Sequence, residues 1–256
     1  MIDTHCHIDF RDFDHDREEV IKQAIDNGVD RLINIGADIE SSRRSLALAE
    51  IHSHIYCTVG IHPHDSKTLT HQFLKEMEAM AANPKVVGIG EIGLDYYRNL
   101  SPRDIQRKAF AAQLDLAVNL GKAVVIHVRE AMDEALEIIA QYRGRLKGVF
   151  HCFPGTIEQA RLVADMGFHI SVNGVLTYPN SKMGRVAAEA DLKTVLIETD
   201  SPYLTPVPFR GKRNVPAYVV YVCAKLADLR RMETSEVDRI TTRNAEKLFG
   251  LVETFG

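Results

Sequence analysis

Short apolar runs rich in β-branched residues alternate along the chain with longer amphipathic stretches, and this alternation repeats eight times. Short β-branched runs predict buried strands, whereas apolar residues at a spacing of 3.6 predict helices. The predicted strands are Ile2 to His7, Arg31 to Gly36, Ile55 to His62, Val86 to Gly93, Ala123 to Val128, Gly148 to Phe153, Phe168 to Gly174 and Thr194 to Asp200. The predicted helices are Phe13 to Asn27, Ser41 to Ser53, His71 to Ala82, Arg103 to Leu120, Glu130 to Tyr142, Ile157 to Met166, Lys182 to Ala190, Ala217 to Arg230 and Ser235 to Phe249.

This order of elements predicts an α/β fold. Eight strands, each followed by a helix, in about 250 residues are typical of a (β/α)8 TIM barrel. One more helix closes the chain, so we expect a single domain, residues 1–256, with an extra C-terminal helix. A doubly wound open sheet is the alternative.

Composition narrows the class of protein. The 256 residues are 45% hydrophobic and 26% charged, which suits one large core. No stretch approaches the roughly 18 apolar residues of a membrane span, and the first residues lack the pattern of a signal peptide. We therefore expect a cytoplasmic protein without membrane contact. The four cysteines, Cys6, Cys57, Cys152 and Cys223, are too scattered for a disulfide framework or a zinc knuckle. A net charge of −4 argues against a broad basic surface for nucleic acid.

Titratable residues stand at the ends of several predicted strands, where a buried parallel strand should be apolar. His5 and His7, two apart on the first strand, point to the same side. The residues concerned are His5, His7, His62, Glu91, His127, His151 and Asp200. In a barrel the carboxyl ends of the strands meet at one face, where active sites of this fold lie. Because so many titratable groups repel one another and lose solvation there, their clustering indicates a metal site. Any one of these histidines taken alone is more often an ordinary hydrogen-bonded residue.

The motifs that carry these residues resemble the TatD family of metal-dependent deoxyribonucleases, within the amidohydrolase superfamily. They are Asp3-Thr-His-Cys-His-Ile-Asp9, Val59-Gly-Ile-His-Pro-His64, Gly88-Ile-Gly-Glu-Ile-Gly-Leu-Asp-Tyr-Tyr97, Val125-Ile-His-Val-Arg129, His151-Cys-Phe153, Glu198-Thr-Asp-Ser-Pro-Tyr-Leu204 and Arg210-Gly-Lys-Arg-Asn214. The resemblance covers essentially the whole chain. It implies two metal ions, with Glu91 as the bridging carboxylate in the place of the superfamily's carboxylated lysine. The implied ligands are His5, His7, Glu91 and Asp200 for one ion, and Glu91, His127 and His151 for the other.

The residues also indicate how such a centre would react. Two divalent ions can acidify a shared water and hold the oxygens of a substrate. Asp200 is placed to be both ligand and general base, so we expect Asp200 and Glu91 to be the catalytic carboxylates. The mixed nitrogen and oxygen ligands accommodate Zn, Mn or Mg and do not select among them.

Substrate contacts are predicted from residues near this mouth. His62 is a candidate to hydrogen-bond the scissile or leaving oxygen, or else a structural histidine beside Pro63. Arg129 could face the substrate, or pair with Asp133 or Glu134. The segment Phe209-Arg-Gly-Lys-Arg-Asn214 follows the eighth strand and could overhang the mouth. It offers Arg210, Lys212 and Arg213 to phosphate, and Asn214 as a further contact. Tyr96 and Tyr97 could stack on a base, and Asp95 could orient a ligand histidine.

The expected function is a divalent-metal-dependent deoxyribonuclease, exonucleolytic on single-stranded DNA and monomeric. Two alternatives stay open. One is a metallohydrolase of another ester, amide or lactone bond, because a fold does not fix a function. The other is a catalytically idle barrel, although such a protein has no reason to keep these buried polar residues.

Overall fold

Eight parallel strands form one sheet in which each strand pairs with the next along the chain. The strands are β1 (Ile2–Cys6), β2 (Arg31–Ile35), β3 (Ile55–Val59), β4 (Val86–Asp95), β5 (Ala123–Arg129), β6 (Gly148–Phe150), β7 (His169–Val172) and β8 (Val195–Ile197). This computed structural model describes residues 1–251. Residues 252–256, which the domain prediction includes, lie outside the described part.

The sheet closes between β1 and the segment that follows β8. Cys6 and Ser201 form a parallel bridge there. The amide of His7 donates to Ser201 O at 2.8 Å, and the amide of Asp200 donates to His5 O at 2.8 Å. A doubly wound sheet reverses its strand order and leaves open edges, so the sequential order and this seam confirm the predicted TIM barrel. The seam also brings Asp200 against the first strand.

Helices surround the barrel and connect its strands. They are α1 (Arg17–Asp26), α2 (Ile39–Ile51), α3 (His71–Ala81), α4 (Arg103–Leu120), α5 (Met132–Ala140), α6 (Ile157–Asp165), α7 (Met183–Glu189), α8 (Val219–Arg230) and α9 (Thr234–Phe249). The predicted extra C-terminal helix is α9, because α8 already follows the last strand. The first helix begins four residues later than predicted, since Arg11–Phe13 forms a separate 3-10 turn.

The core lies in two layers. The larger one packs the outer faces of the strands against the helices, with Phe13, Phe110 and Phe168 fully buried. The smaller layer fills the barrel interior, where the end of α9 packs Leu248 against side chains such as Ile33. Helix α9 therefore covers the amino-terminal end of the barrel and leaves the carboxyl ends of the strands facing the other way. Within residues 1–251, no helix has the length and apolar character needed to cross a bilayer.

Candidate metal centre

The predicted site residues meet at the carboxyl ends of the strands. His5 lies in β1 and His7 just beyond it; Glu91 lies in β4 and His127 in β5. The others lie in loops directly after their strands: His62 after β3, His151 after β6 and Asp200 after β8. Six of the strands end earlier than predicted, because the chain turns out of the sheet where the polar residues begin. Strands β4 and β5 instead continue beyond their predicted ends, to Asp95 and Arg129. Two of these turns place a non-glycine residue in the left-handed region, with φ of +57° at Asp200 and +43° at Cys152. Such strained conformations are concentrated at functional sites.

His5, His7 and Asp200 form one group of possible ligands. The Nε2 atoms of His5 and His7 are 3.2 Å apart. Each lies 3.6 Å from Asp200 Oδ1. Glu91 Oε2 completes the group, at 3.6 Å from His5 Nε2 and 3.8 Å from His7 Nε2.

The other oxygen of Glu91 faces a second group of imidazoles. Glu91 Oε1 lies 2.8 Å from His151 Nε2, 2.9 Å from His127 Nδ1 and 3.5 Å from His62 Nε2. His127 Nδ1 and His151 Nε2 are 3.2 Å apart. Glu91 therefore stands between two groups of ligand atoms, with one carboxylate oxygen directed to each.

The spacing of these atoms fits metal coordination. Ligand atoms lie about 2.1 Å from zinc and similar ions, so that neighbours around a tetrahedral ion stand about 3.4 Å apart. The distances of 3.2 to 3.8 Å in the first group match this value. Because the groups contain nitrogen and carboxylate oxygen but no thiolate, they fit Zn, Mn or Mg.

For His7, His127 and His62, the partner of one ring nitrogen indicates whether the other nitrogen carries a lone pair or a hydrogen. His7 Nδ1 lies 3.0 Å from Ile35 O, and His127 Nε2 lies 3.2 Å from Asp95 Oδ2. Each outer nitrogen must donate to its oxygen, so the inner nitrogen carries a lone pair for a metal. His62 is the opposite case. Its Nδ1 accepts from the amide of His64 at 3.1 Å, so Nε2 carries the hydrogen. His62 is therefore suited to donate to a substrate oxygen and not to bind metal.

Buried carboxylates lie beside two histidines of the cluster, His127 and His151. Asp95 is 1% exposed, and its Oδ2 also lies 2.9 Å from His64 Nε2. Glu198 is equally buried and lies 3.5 Å from His151 Nδ1. The sequence interpretation of Asp95 matches this geometry, whereas no role was predicted for Glu198 or His64. A carboxylate inside the last predicted strand was the available signal for Glu198.

Mutual electrostatics perturb the pKa values throughout the site. Burial favours the neutral form of Glu91, but the charge of His151 and the hydrogen bonds from His127 and His151 outweigh burial and hold the pKa of Glu91 well below its usual range. Burial likewise opposes the charged form of His151, but Glu91 and Glu198 raise its pKa well above its usual value. Burial lowers the pKa of His62 well below its usual value, which keeps this imidazole neutral. Because a metal ligand must be deprotonated, a divalent ion held by His151 would take the place of its proton.

A cleft of about 600 Å³ opens over this cluster. It is bordered by Arg98 and Arg129 on one side and by Tyr203 and Phe10 on the other. The Arg129 guanidinium lies 3.8 Å from the ring centre of Tyr97 and forms no ion pair with a described carboxylate. The sequence offers Asp133 and Glu134 as partners of Arg129, and neither of them pairs with it. Tyr203, which the sequence did not single out, is 53% exposed beside Asp200.

The segment after β8 differs from its prediction. Asn214 is fully buried, and its amide donates to Thr199 O at 2.9 Å and Tyr203 O at 2.6 Å. These hydrogen bonds hold the loop that carries Asp200, so the structure gives the Asn214 side chain a positioning role, where the sequence predicts a substrate contact. Arg213 pairs with Asp16 at 2.5 Å and does not line the cleft. Arg210 is exposed and lies over Tyr178 at 4.4 Å, outside the lining of the cleft.

A TIM barrel with this cluster of imidazoles and carboxylates at its mouth is the arrangement expected of a metal-dependent hydrolase. A family model described as TatD related DNase matches residues 2–250. The chain belongs to this TatD-related family. An uncharacterised metal-dependent hydrolase of Bacillus subtilis, YabD, is 39% identical over 251 residues, which is 97% of this chain and 98% of the relative.

Two further relatives cover nearly the whole chain. A protein of Citrobacter rodentium named 3'-5' ssDNA/RNA exonuclease TatD is 34% identical over 260 residues, covering 98% of each chain. The crystal structure of the TatD homologue YJJV from Escherichia coli superposes with a TM-score of 0.92 at 32% identity, again over 98% of each chain. The predicted family and fold are thereby confirmed.

Proposed function

We propose that this hydrolase removes nucleotides from the 3' end of single-stranded DNA or RNA, with two divalent ions bound on either side of Glu91. The observation that carries the proposal is the position of Glu91, with one oxygen toward His5 and His7 and the other toward His127 and His151. The name of the Citrobacter relative supports the substrate and the polarity. The ions would acidify a water and polarise the phosphodiester.

The chain's own residues supply the remaining roles. Asp200 accepts the proton of the attacking water, because its carboxylate stands beside the first ligand group and borders the cleft. His62 donates its Nε2 hydrogen to a phosphate or leaving oxygen, as its fixed tautomer requires. Arg129 offers two parallel N–H groups to a phosphate, a geometry that suits guanidinium. Tyr203 presents an exposed ring on which a terminal base can stack.

The shape and charge of the protein favour a strand end over a duplex. The cleft has the size of a small-ligand site and carries two arginines, Arg98 and Arg129, at its edge. A net charge of −4 argues against a broad basic surface for a duplex backbone. We expect a monomer located in the cytoplasm, to be checked by light scattering and by cell fractionation.

The test is digestion of single-stranded DNA labelled at either end by metal-stripped protein, with and without added Mg²⁺ or Mn²⁺. A ladder that needs metal and shortens only from the 3' end is expected, and Asp200→Asn should abolish it. Blocking the 3' hydroxyl with a phosphate separates exonuclease from endonuclease action. If the protein binds metal but leaves DNA and RNA intact, hydrolysis of another bond replaces this proposal.

A second variant tests the role of His62. His62→Gln should keep the metal content of the wild type and lower kcat by about 10²-fold or more, since a positioned donor is worth that much. Loss of metal in this variant would identify His62 as a ligand instead.

A further inference from the structure

A second cleft lies at the opposite end of the barrel from the metal centre. It has a volume of about 840 Å³ and lies where β6, β7 and β8 begin, with α9 along one side. The active cluster lies at the carboxyl ends of these strands, so the two clefts are separated by the barrel core.

The charge of this cleft is strongly one-sided. Five cationic side chains line it against a single carboxylate, that of Asp191; they are Lys147, Lys193, Arg239, Arg243 and Lys247. Among residues 1–251, none of the five forms an ion pair with a carboxylate, since the described pairs involve other cations. Asp191 itself accepts a hydrogen bond from the amide of Lys193 at 3.0 Å. An anion is the missing partner of this arrangement.

The positions on α9 strengthen this reasoning. Arg239, Arg243 and Lys247 are spaced four residues apart and therefore share one face of the helix. Like charges at this spacing destabilise a helix. The acidic residues of the same helix form no ion pair with these three cations: Asp238 pairs with the terminal amino group and Glu246 with Arg31, and Glu236 has no ion pair to any of the three.

The floor of the cleft is apolar. Phe168 and Leu248 contribute buried side chains, and Leu192 and Ile240 are half-buried beside them. Asn244 is 8% exposed in the same lining, and its amide hydrogens are both taken, by Leu192 O and Val195 O at 2.8 Å. Its Oδ1 has no donor among the described residues, so it is available to an N–H or O–H group. The pKa of His169, in the same lining, is lowered to about 4 by burial and by the positive charges of Lys247 and Lys147.

We propose that this cleft is a second binding site, for a small organic phosphate that carries an apolar ring system and hydrogen-bond donors, as a nucleoside monophosphate does. The cations of α9 and the strand-start loops bind the phosphate, the apolar floor accepts the ring, and Asn244 accepts one ligand hydrogen. Inorganic phosphate alone would use only part of the site. Because the site is remote from the metal cluster, its test does not depend on nuclease activity.

The experiment is calorimetric titration of the metal-loaded protein with adenosine 5'-monophosphate, adenosine and inorganic phosphate. The nucleotide should bind in the wild type and in Asp200→Asn alike, weaken as salt is raised, and bind more tightly than either fragment. The double variant Arg243→Gln with Lys247→Gln should weaken nucleotide binding at least tenfold. The matched control, Lys22→Gln with Lys108→Gln on exposed faces of α1 and α4, should leave it unchanged.

Thermal melting and NMR separate a loss of binding from a loss of folding and locate the bound nucleotide. Without ligand, the α9 variant should melt at the wild-type temperature or higher, because repulsion is removed, and it should lose the thermal shift that the nucleotide causes. Amide NMR shifts on titration should appear at Gly167, Thr194 and Ile240 and not at His127. No saturable binding below about 10 mM, equal binding of adenosine, binding only of longer oligonucleotides, or wild-type affinity in the α9 variant would each overturn the proposal.

Discussion

Asp95→Asn tests whether a buried carboxylate controls the metal centre through His127. The Asp95 side chain is 1% exposed, with Oδ2 at 3.2 Å from His127 Nε2 and 2.9 Å from His64 Nε2. Its Oδ1 accepts from the amide of Arg98 at 2.7 Å. An asparagine has the same shape, but its NH2 group must face either the two imidazole donors or the Arg98 amide. In either orientation a donor is directed at a donor.

The size of the effect follows from these contacts. A buried donor left without an acceptor costs about 1–3 kcal/mol. Loss of a carboxylate behind a ligand histidine typically lowers metal affinity or activity about 10–100-fold, which is about 1.4–2.7 kcal/mol. Because the cost of the unpaired donor agrees with the loss seen for such carboxylates, we expect the metal dissociation constant to rise about 10–100-fold. The inner nitrogen of His127 faces Glu91 at 2.9 Å, so the weaker site should be the one on that side.

The assay is titration of metal-stripped protein with Mn²⁺. The dissociation constant is obtained from the heat of binding or from the recovery of activity. Asp65→Asn is the control, because Asp65 borders the same cleft without an ion pair to any described histidine. It should change the dissociation constant by less than about threefold. Equal affinities for Asp95→Asn and the wild type would refute the positioning role.

Three other predictions concern the stability of the barrel. Gly93→Ala should destabilise the protein by about 2–4 kcal/mol and lower metal content, because φ is +140° there and a Cβ would lie 2.0 Å from His127 O; urea unfolding and metal analysis check this. Phe150 is fully buried in the core, so Phe150→Ala should lower the free energy of unfolding in urea by about 3–5 kcal/mol without changing the metal stoichiometry. His169 has its pKa lowered by burial to about 4 from 6.5, so the unfolded chain takes up its proton first and stability falls as the pH drops from about 6.5 to 4. His169→Gln should make that loss smaller by about 1–2 kcal/mol, and an unchanged slope of unfolding free energy against pH would contradict it.

The alternation of apolar and amphipathic segments was sufficient to predict the barrel, because each parallel strand is buried on both faces and each helix on one. The ends of the elements were less predictable. Residues such as Thr199 and Asp200 continue an extended-looking pattern, yet their backbone is held by contacts with β1, nearly two hundred residues away in the chain. Such long-range hydrogen bonds leave no local trace in the sequence.

The same limit applies to the site. Histidines and carboxylates at strand ends could be predicted, since the fold itself gathers them. The burial of Asn214 and the pairing of Arg213 with Asp16 could not, because both depend on how a loop folds back over the barrel. The tautomer of His62 depends in turn on a single backbone amide, that of His64, and no spacing in the sequence predicts it.

Metal stoichiometry in Glu91→Gln tests the central claim most directly. Wild-type protein and the variant are loaded with Mn²⁺, freed of excess metal and analysed by plasma mass spectrometry. Because Glu91 directs one oxygen to each ligand group, the wild type should hold two ions per chain and the variant fewer than one. Two ions retained in Glu91→Gln would contradict the account of Glu91 as the residue that joins the two metal sites.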